Sequence, residues 1–312
     1  MTTVKNYLSL IKFSHTIFAM PFALIGFFLA INLINRPASV IPGWNIRVLP
    51  DDFVQNNVPS DLNSIIIRFI LVILCMVFAR SSAMAFNRYL DRRFDALNPR
   101  TAIREVPKGI ITPKNALTFT IICSAIFVAS TWFINKLCFY LSPLALAVIL
   151  GYSYTKRFTP LCHLILGLGL SLAPIGAYLA VTGEFHLLPI LFSLAVLFWV
   201  SGFDIIYALQ DVEFDQSQNL YSIPVAVGKT TALRISEVLH LLSAASVITA
   251  GRLGNFGFLY WAGVIVFGGM LIYQHSIVKP NDLRRVNIAF MTANGIASVV
   301  FAVFVIADLF VY

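Results

Sequence analysis

The chain has 312 residues, of which 59% are hydrophobic and 12% are charged, and its formal net charge is +8. Soluble domains carry about 25% charged residues, so the composition excludes a soluble globule. It also argues against a disordered chain and against a small disulfide scaffold. It indicates a polytopic membrane protein. We attribute the positive net charge to cytoplasmic loops that face anionic membrane lipid, and not to a surface that binds nucleic acid. No nucleic-acid partner is therefore expected.

Apolar runs predict about nine transmembrane helices, because a bilayer core needs roughly 20 apolar residues per helix. The predicted spans cover residues 13–35, 64–86, 116–135, 138–154, 161–181, 187–207, 236–252, 257–277 and 288–311. The first span is too long for a signal-peptide core and no cleavage site follows it, so we assign it to the fold. The prediction is an all-α bundle around a central cavity.

The loops carry most of the positive charge on one side of the predicted membrane. With the N-terminus inside, 17 of the 22 Lys and Arg residues fall on the inner side. The positive-inside rule therefore predicts a cytoplasmic N-terminus and an external C-terminus. A Pro- and Asn-rich segment at 36–63 is then an extracytoplasmic insertion in a single domain spanning residues 1–312.

Seven of the 14 acidic residues lie in two stretches that begin at the inner ends of the second and sixth spans. In the first stretch, Asn87, Asp91 and Asp95 follow an N-x-x-x-D-x-x-x-D spacing. At about 100° per helical residue, these three side chains fall within roughly 80° of one another. The spacing therefore predicts a row of oxygen ligands on one helix face.

The second stretch repeats the pattern. Asp204, Asp211 and Asp215 fall within roughly 40° on a helical wheel, and Tyr207 lies beside them. A single pair of aspartates in D-x-x-x-D spacing is typical of an ordinary solvated helix end. Two rows at the same membrane face, in a chain with so few acids, favour a functional site.

Carboxylates one helical turn apart repel each other unless a cation lies between them. Hard oxygen ligands at this spacing suit Mg²⁺, which binds through carboxylates, waters and substrate phosphates. No His-x-x-x-His pair is present, so a zinc site is not indicated. The two stretches therefore predict a magnesium–diphosphate site, and the basic residues near them provide further anion contacts. These are Arg88, Arg92, Arg93, Arg100, Arg104, Lys156 and Arg157.

These motifs resemble those of the UbiA superfamily of intramembrane aromatic prenyltransferases. That family has nine transmembrane helices and two aspartate-rich motifs on cytoplasmic loops after helices two and six. The flanking segments 98–101, 154–157 and 202–211 are similar as well. The likeness covers nearly the whole chain except residues 36–63, and it is strongest to the 4-hydroxybenzoate polyprenyltransferase branch.

The resemblance implies Mg²⁺-dependent transfer of a polyprenyl group from polyprenyl diphosphate to an aromatic acid. The chemistry is electrophilic aromatic substitution in quinone biosynthesis, and the expected location is a bacterial inner membrane. Residues 12–22 are similar to a subgroup that acts in menaquinone synthesis by the futalosine route. Two acceptors therefore stay open: a 4-hydroxybenzoate-like acid and 1,4-dihydroxy-6-naphthoate.

The resemblance also implies roles for individual residues. The metal ligands are Asn87, Asp91, Asp95, Asp211 and Asp215. The diphosphate contacts are Asn87, Arg88 and Lys156, and the acceptor contacts are Arg157, Arg104, Tyr154 and Tyr207.

Asp204 lies about two helical turns deeper than Asp211, where an ionisable residue is costly and usually functional. A functional and a structural role stay open for Asp204. In the functional role it orients the acceptor hydroxyl or receives the ring proton. In the structural role it forms a salt bridge with Arg80. A secondary transporter is a more distant alternative. The acids disfavour it because they cluster at one membrane face rather than at the midplane.

Overall fold

The structure is a computed structural model that describes residues 2–12, 18–34, 45–46, 59 and 61–312. In chain order its elements are α1 (Thr2–Leu10), α2 (Met20–Ile34), β1 (Asn45–Ile46), α3 (Leu62–Leu97), α4 (Pro113–Ile134), α5 (Lys136–Thr155), α6 (Cys162–Thr182), β2 (Phe185–His186), α7 (Leu187–Ala208), α8 (Val212–Ser217), α9 (Ile223–Leu253), α10 (Phe258–Ile277) and α11 (Asn294–Val311). A 3₁₀ turn, Leu209–Asp211, joins α7 to α8, and a π-helical turn, Ile288–Ala293, leads into α11.

Among these described residues, eight helices are long and apolar enough to cross a membrane. The shorter α2 is apolar but has only 15 residues, and the part of the first predicted span at 13–17 lies outside the described residues. Each predicted span overlaps one helix of the bundle. The all-α membrane fold is therefore confirmed, whereas eight helices rather than nine meet the length requirement.

The two aspartate motifs lie on helix ends rather than on loops. Helix α3 has 36 residues and continues to Leu97, a length of about 54 Å against a bilayer core of about 30 Å. It begins at a capping box in which Asp61 and Ser64 satisfy each other's backbone N–H groups. The second predicted loop, 208–235, is also mostly helical, because α8 and the start of α9 occupy it. We call the end of the bundle that carries Leu97 and Asp211 the motif end.

The predicted insertion at 36–63 lies mostly outside the described residues. Its described residues include Asn45 and Ile46, which pair antiparallel with His186 and Phe185 respectively. The pairing partner β2 follows Gly183, whose φ of 70° ends α6 in the left-handed conformation that favours glycine. This part of the segment is therefore attached at the end of the bundle opposite the motif end.

Aromatic rings fill the centre of the bundle where α2, α7, α10 and α11 meet. Phe22 lies 5.4 Å from Trp199 and 5.9 Å from Phe301 between ring centroids. Phe267 contacts Trp199 at 6.0 Å and Phe301 at 5.2 Å. All four side chains are fully buried. Tilted and edge-on ring pairs of this kind add to the energy of burial, so this cluster fixes the helices that form one wall of the site.

Polar side chains hold the end of α6 that lies away from the motif end. The guanidinium of Arg68 donates to the carbonyls of Ala180 and Val181 at 2.9 and 3.2 Å. Asn135 separates α4 from α5, caps the start of α5, and donates to the carbonyl of Leu179 at 2.8 Å. The last carbonyls of a helix lack intrahelical partners, so these bonds tie α3 and the α4–α5 corner to α6.

Asp308 of α11 supplies the missing cap of α10. Its carboxylate is buried and accepts from the backbone N–H groups of Gly257 and Tyr260 at 2.8 and 3.1 Å. Gly257 has no side chain with which to cap the helix. We expect Asp308→Ala to destabilise the protein by about 1–3 kcal/mol, because two buried donors lose their acceptor. Thermal unfolding in detergent measures this loss.

Asp308→Asn is the matched control for this prediction, because its amide oxygen still accepts a hydrogen bond. The two N–H groups bond to different oxygens of Asp308, so Asp308→Asn keeps one of the two bonds and is expected to lower Tm by less than Asp308→Ala does. An equal loss in both variants would contradict capping by the acceptor oxygens.

Candidate active site

The first motif lies on one face of the last turns of α3. Asn87 donates through Nδ2 to Oδ2 of Asp91 at 3.0 Å. Asp91 accepts from Nη2 of Arg157 at 2.8 Å, and Asp95 accepts from Nη1 of Arg104 at 2.6 Å. The four-residue spacing places the three side chains one above another, as the sequence predicted.

The second motif follows α7 where that helix tightens into its 3₁₀ turn. Both carboxylate oxygens of Asp211 accept from the guanidinium of Arg100, and Oδ1 also accepts from Asn98 at 3.2 Å. The same guanidinium donates to the hydroxyl of Tyr207 at 2.7 Å and lies over its ring. Arg100 thereby bridges the connection after α3 to the end of α7.

Asp215, on α8, pairs with Lys156. The carboxylate is almost completely buried, and Nζ of Lys156 lies 2.7 Å from Oδ1. Burial lowers the pKa of Lys156, but the neighbouring Asp215 carboxylate outweighs it and the net pKa is raised. The same balance holds for Arg100, whose pKa is lowered by burial and raised overall by Asp211 and Tyr207. Both bases therefore stay charged.

Each motif aspartate thus has its own basic partner. The partners come from only two segments, the connection after α3 and the end of α5. This arrangement neutralises four carboxylates that would otherwise repel one another. The sequence analysis named Arg100 only as a nearby anion contact, and it included neither the Asn98 contact nor the pairing itself, because helical spacing does not reveal contacts between segments.

The motif side chains surround the mouth of a cavity of about 320 Å³. Predicted site residues that line it are Asn87, Arg88, Asp91, Asp95, Arg104, Lys156, Asp204, Tyr207, Asp211 and Asp215. Its deeper walls are apolar and aromatic, formed by Leu166, Leu170, Val200, Phe203, Phe18 and Phe290. A charged mouth and an apolar interior suit an amphipathic ligand with an anionic head.

Two of the predicted acceptor contacts do not line this cavity. The guanidinium of Arg157 is held by Asp91 and by the carbonyls of Ser153 and Leu90. Tyr154 is exposed, and its ring packs near Phe86. In this structure the guanidinium of Arg157 therefore contacts the first motif rather than the deeper cavity.

A second polar group lies deeper in the cavity. Asp204 accepts from Nδ1 of His163 at 2.7 Å, and Nε2 of the same ring accepts from the backbone N–H of Ile223 at 3.4 Å. The structure therefore pairs Asp204 with His163 and not with Arg80. Arg80 lines the same cavity, and its Nε is buried without a hydrogen-bond partner. No sequence pattern indicates the His163 contact, because the two residues are 41 positions apart.

The donor set fits a hard cation by its chemistry. In the part of the chain that the structure describes, no three His, Cys, Asp or Glu side chains converge as a preformed metal cluster. Instead, the four carboxylates line one cavity mouth, and Oδ2 of Asp95 is buried without a partner. Mg²⁺ prefers such oxygen ligands. If Mg²⁺ bound to these carboxylates, it would take the place of the basic side chains that are now paired with them.

The comparisons agree with this geometry. The sequence matches the UbiA prenyltransferase family over residues 56–296. The chain belongs to this family. The curated 4-hydroxybenzoate octaprenyltransferase of Tolumonas auensis is 30% identical over 223 residues, which are 72% of this chain and 78% of that protein.

Solved structures share the UbiA fold. The apo structure of a UbiA homolog from Aeropyrum pernix K1 has a TM-score of 0.74 and 28% identity, covering 95% of this chain and 97% of that one. A UbiA homolog from Archaeoglobus fulgidus bound to DMAPP and Mg²⁺ has a TM-score of 0.66 at 19% identity, covering 98% and 100%. This protein is an integral membrane prenyltransferase of the UbiA family.

The ion pairs predict how the site responds to metal alone. Arg100→Gln frees the Asp211 carboxylate from a guanidinium that competes with a cation. We expect binding of Mn²⁺, as a spin-active substitute for Mg²⁺, to become at least about fivefold tighter in this variant without substrate. Electron paramagnetic resonance titration of the purified protein measures it.

Arg92→Gln is the matched control, since Arg92 contacts the carbonyl and ring of Tyr89 and no motif carboxylate. It should leave Mn²⁺ affinity unchanged. Unaltered or weaker binding in Arg100→Gln would contradict competition between Arg100 and the metal.

Proposed function

We propose that this protein transfers a polyprenyl group from a polyprenyl diphosphate to a 4-hydroxybenzoate-like aromatic acid, in the service of quinone biosynthesis. One observation carries the proposal: a single cavity has four aspartates and three of their bases at its mouth, a half-buried Arg80 and the Asp204–His163 pair deeper inside, and apolar walls. The name of the Tolumonas auensis relative supports the acceptor class.

The mouth of the cavity suits the diphosphate. Arg88 is buried there with Nε unpartnered, and Lys156, Arg100 and Arg104 become available when their aspartates take another partner. Magnesium held by Asn87, Asp91, Asp95, Asp211 and Asp215 would neutralise charge on the diphosphate leaving group. The basic side chains add to this neutralisation through charge-assisted hydrogen bonds, so the allylic carbon–oxygen bond is weakened at the mouth.

The deeper part suits the acceptor and the carbon–carbon bond that forms. Arg80 is placed to bind the acceptor carboxylate through a planar, paired contact. The aromatic walls exclude water and offer ring faces to the developing allylic cation. As the allylic carbon bonds to the ring, the ring carbon loses its proton. Asp204 is placed to orient the acceptor hydroxyl and to receive a proton, with His163 fixing the carboxylate.

We further propose that the motif end faces the cytoplasm of a bacterial inner membrane. The distribution of Lys and Arg supports this orientation. Leu10 of α1 packs with Ala85 and Val106 at the motif end, whereas Tyr312 lies beside Gly257 at the opposite end. The N-terminus would then be cytoplasmic and the C-terminus external.

The first experiment uses the full chain in detergent with Mg²⁺ and geranyl diphosphate. We expect C-prenylated 4-hydroxybenzoate, detected by mass spectrometry, with 1,4-dihydroxy-6-naphthoate offered in parallel. Asp91→Asn and Asp211→Asn are expected to lower kcat by about 100-fold or more, because each weakens stabilisation of the leaving group. Asp282→Asn is the control, since this carboxylate lies at the surface paired with Arg284.

Prenylation of the naphthoate alone would replace the proposed acceptor with the alternative. Turnover of neither acceptor by folded protein, with longer prenyl donors also tried, would overturn the proposed function. Full activity in Asp91→Asn and Asp211→Asn would refute the assigned metal ligands.

A second prediction separates Arg80 from Arg157. We expect Arg80→Met to raise KM for 4-hydroxybenzoate by about tenfold or more, because a charge-assisted pair with the carboxylate is lost. KM for geranyl diphosphate should stay within twofold. Arg157→Met should instead raise KM for geranyl diphosphate. The guanidinium that holds Asp91 is itself anchored to the carbonyls of Ser153 and Leu90, so its loss leaves Asp91 without a fixed position. Initial-rate kinetics with each substrate varied in turn decides between them, and a raised acceptor KM in Arg157→Met alone would reverse the assignment.

A further inference from the structure

The turn before α11 departs from regular α-helix beside the cavity. Residues Ile288–Ala293 form six residues of π-helix, in which backbone bonds run to the fifth residue rather than the fourth. Phe290 lies in this turn and lines the cavity. Such turns are uncommon and require that displaced backbone groups find other partners.

One side chain hydrogen-bonds to a backbone carbonyl of this turn. Asn294, fully buried, donates through Nδ2 to the carbonyl of Phe290 at 3.0 Å. Its Oδ1 accepts from Nε1 of Trp199 and from Nε2 of Gln274, each at 2.8 Å. A single amide therefore joins the π-helical turn to α7 and α10. Buried polar groups in an apolar core are costly unless bonded, and this one makes three hydrogen bonds.

The turn determines where the ring of Phe290 lies. Its centroid is 4.3 Å from that of Tyr207, 5.5 Å from that of Phe203 and 5.3 Å from that of Phe18. These rings form a continuous aromatic wall between the motif end and the deeper cavity. Tyr207 is in turn bonded to Arg100 at the mouth. Any shift of the turn moves Phe290 relative to this wall.

We propose that Asn294 is a positioning residue for prenyl transfer: its hydrogen bonds lock the π-helical turn so that Phe290 completes the aromatic wall facing the allylic carbon. The inference rests on the function proposed above. Asn294 itself does not line the cavity, so it acts through Phe290.

The wall matters because the ionised allyl group has two possible partners. Capture by the acceptor ring forms a carbon–carbon bond and releases the ring proton. Capture by water forms a carbon–oxygen bond, releases a proton, and yields prenyl alcohol. In both cases diphosphate departs with the electron pair of the broken bond. A displaced Phe290 ring would admit water and stabilise the allylic cation less well. The ratio of prenyl alcohol to prenylated acceptor therefore measures whether the aromatic wall is intact.

The experiment measures both products from the full chain with geranyl diphosphate and its acceptor. We expect Phe290→Leu and Asn294→Leu each to raise the alcohol-to-product ratio by about fivefold or more and to lower kcat, with KM for geranyl diphosphate within about twofold. In the Phe290→Leu background, adding Asn294→Leu should change the ratio by less than about twofold, because residues that act through one contact are not additive.

Two further variants keep the test decisive. Gln274→Leu removes one donor to Oδ1 and leaves the bond to Phe290, so a smaller change in the same direction is expected. Tyr260→Phe is the matched control: Tyr260 lies on α10, as Gln274 does, and the variant loses a buried hydrogen bond to the carbonyl of Val247 on α9, away from the cavity. It is expected to lower Tm without changing the product ratio.

Additive effects of Asn294→Leu and Phe290→Leu, or a change in ratio in Tyr260→Phe equal to that in Asn294→Leu, would overturn the positioning role. These results leave the proposed function intact when wild-type protein forms prenylated product. Failure of the wild type to prenylate any acceptor would overturn both.

Discussion

Charge balance between four aspartates and four basic side chains determines the shape of the motif end. Unpaired carboxylates at this separation would repel one another in surroundings of low dielectric constant. Arg100 and Arg104 draw the connection after α3 over the cavity mouth, while Lys156 and Arg157 hold the end of α5 against α8 and α3. The mouth is thus assembled by contacts between segments far apart in the sequence. In the proposed function, a diphosphate would pair with the basic side chains and its metal ion with the aspartates.

The cavity separates two tasks that require different surroundings. Bond cleavage needs charge neutralisation, which the bases and carboxylates at the mouth can supply. Capture of the allylic carbon needs surroundings that exclude water and present aromatic rings. Phe203, Tyr207 and Phe290 line this part of the cavity. The hydrogen-bonded pair of Asp204 and His163 lies within the second region, where the proposed mechanism requires a proton acceptor. The arrangement of the described residues therefore follows the order in which the proposed chemistry proceeds.

Apolar runs and helical spacing were sufficient to predict a bundle of membrane helices and the faces on which the motif aspartates lie, because both depend on the sequence within one helix. Contacts between helices were not accessible in this way. Arg157 was assigned to the acceptor, but the fold turns its guanidinium towards Asp91. His163 and Asn294 are single polar residues in apolar runs, and only tertiary packing brings them to Asp204 and to the carbonyl of Phe290. The motifs also continue helices where loops were expected, since their polar residues keep helical spacing.

The length of α3 has a mechanical consequence. Arg68 and Asp95 belong to one uninterrupted helix and are 27 residues, about 40 Å, apart. Arg68 hydrogen-bonds the end of α3 that lies away from the cavity to α6. A tilt of α3 at the cavity would therefore strain these hydrogen bonds at the opposite end of the bundle. Asp91 and Asp95 are therefore the stationary half of their ion pairs. Any rearrangement of these two ion pairs therefore falls to the segments that carry their bases, the connection after α3 with Arg104 and the end of α5 with Arg157, and not to the helix of acids.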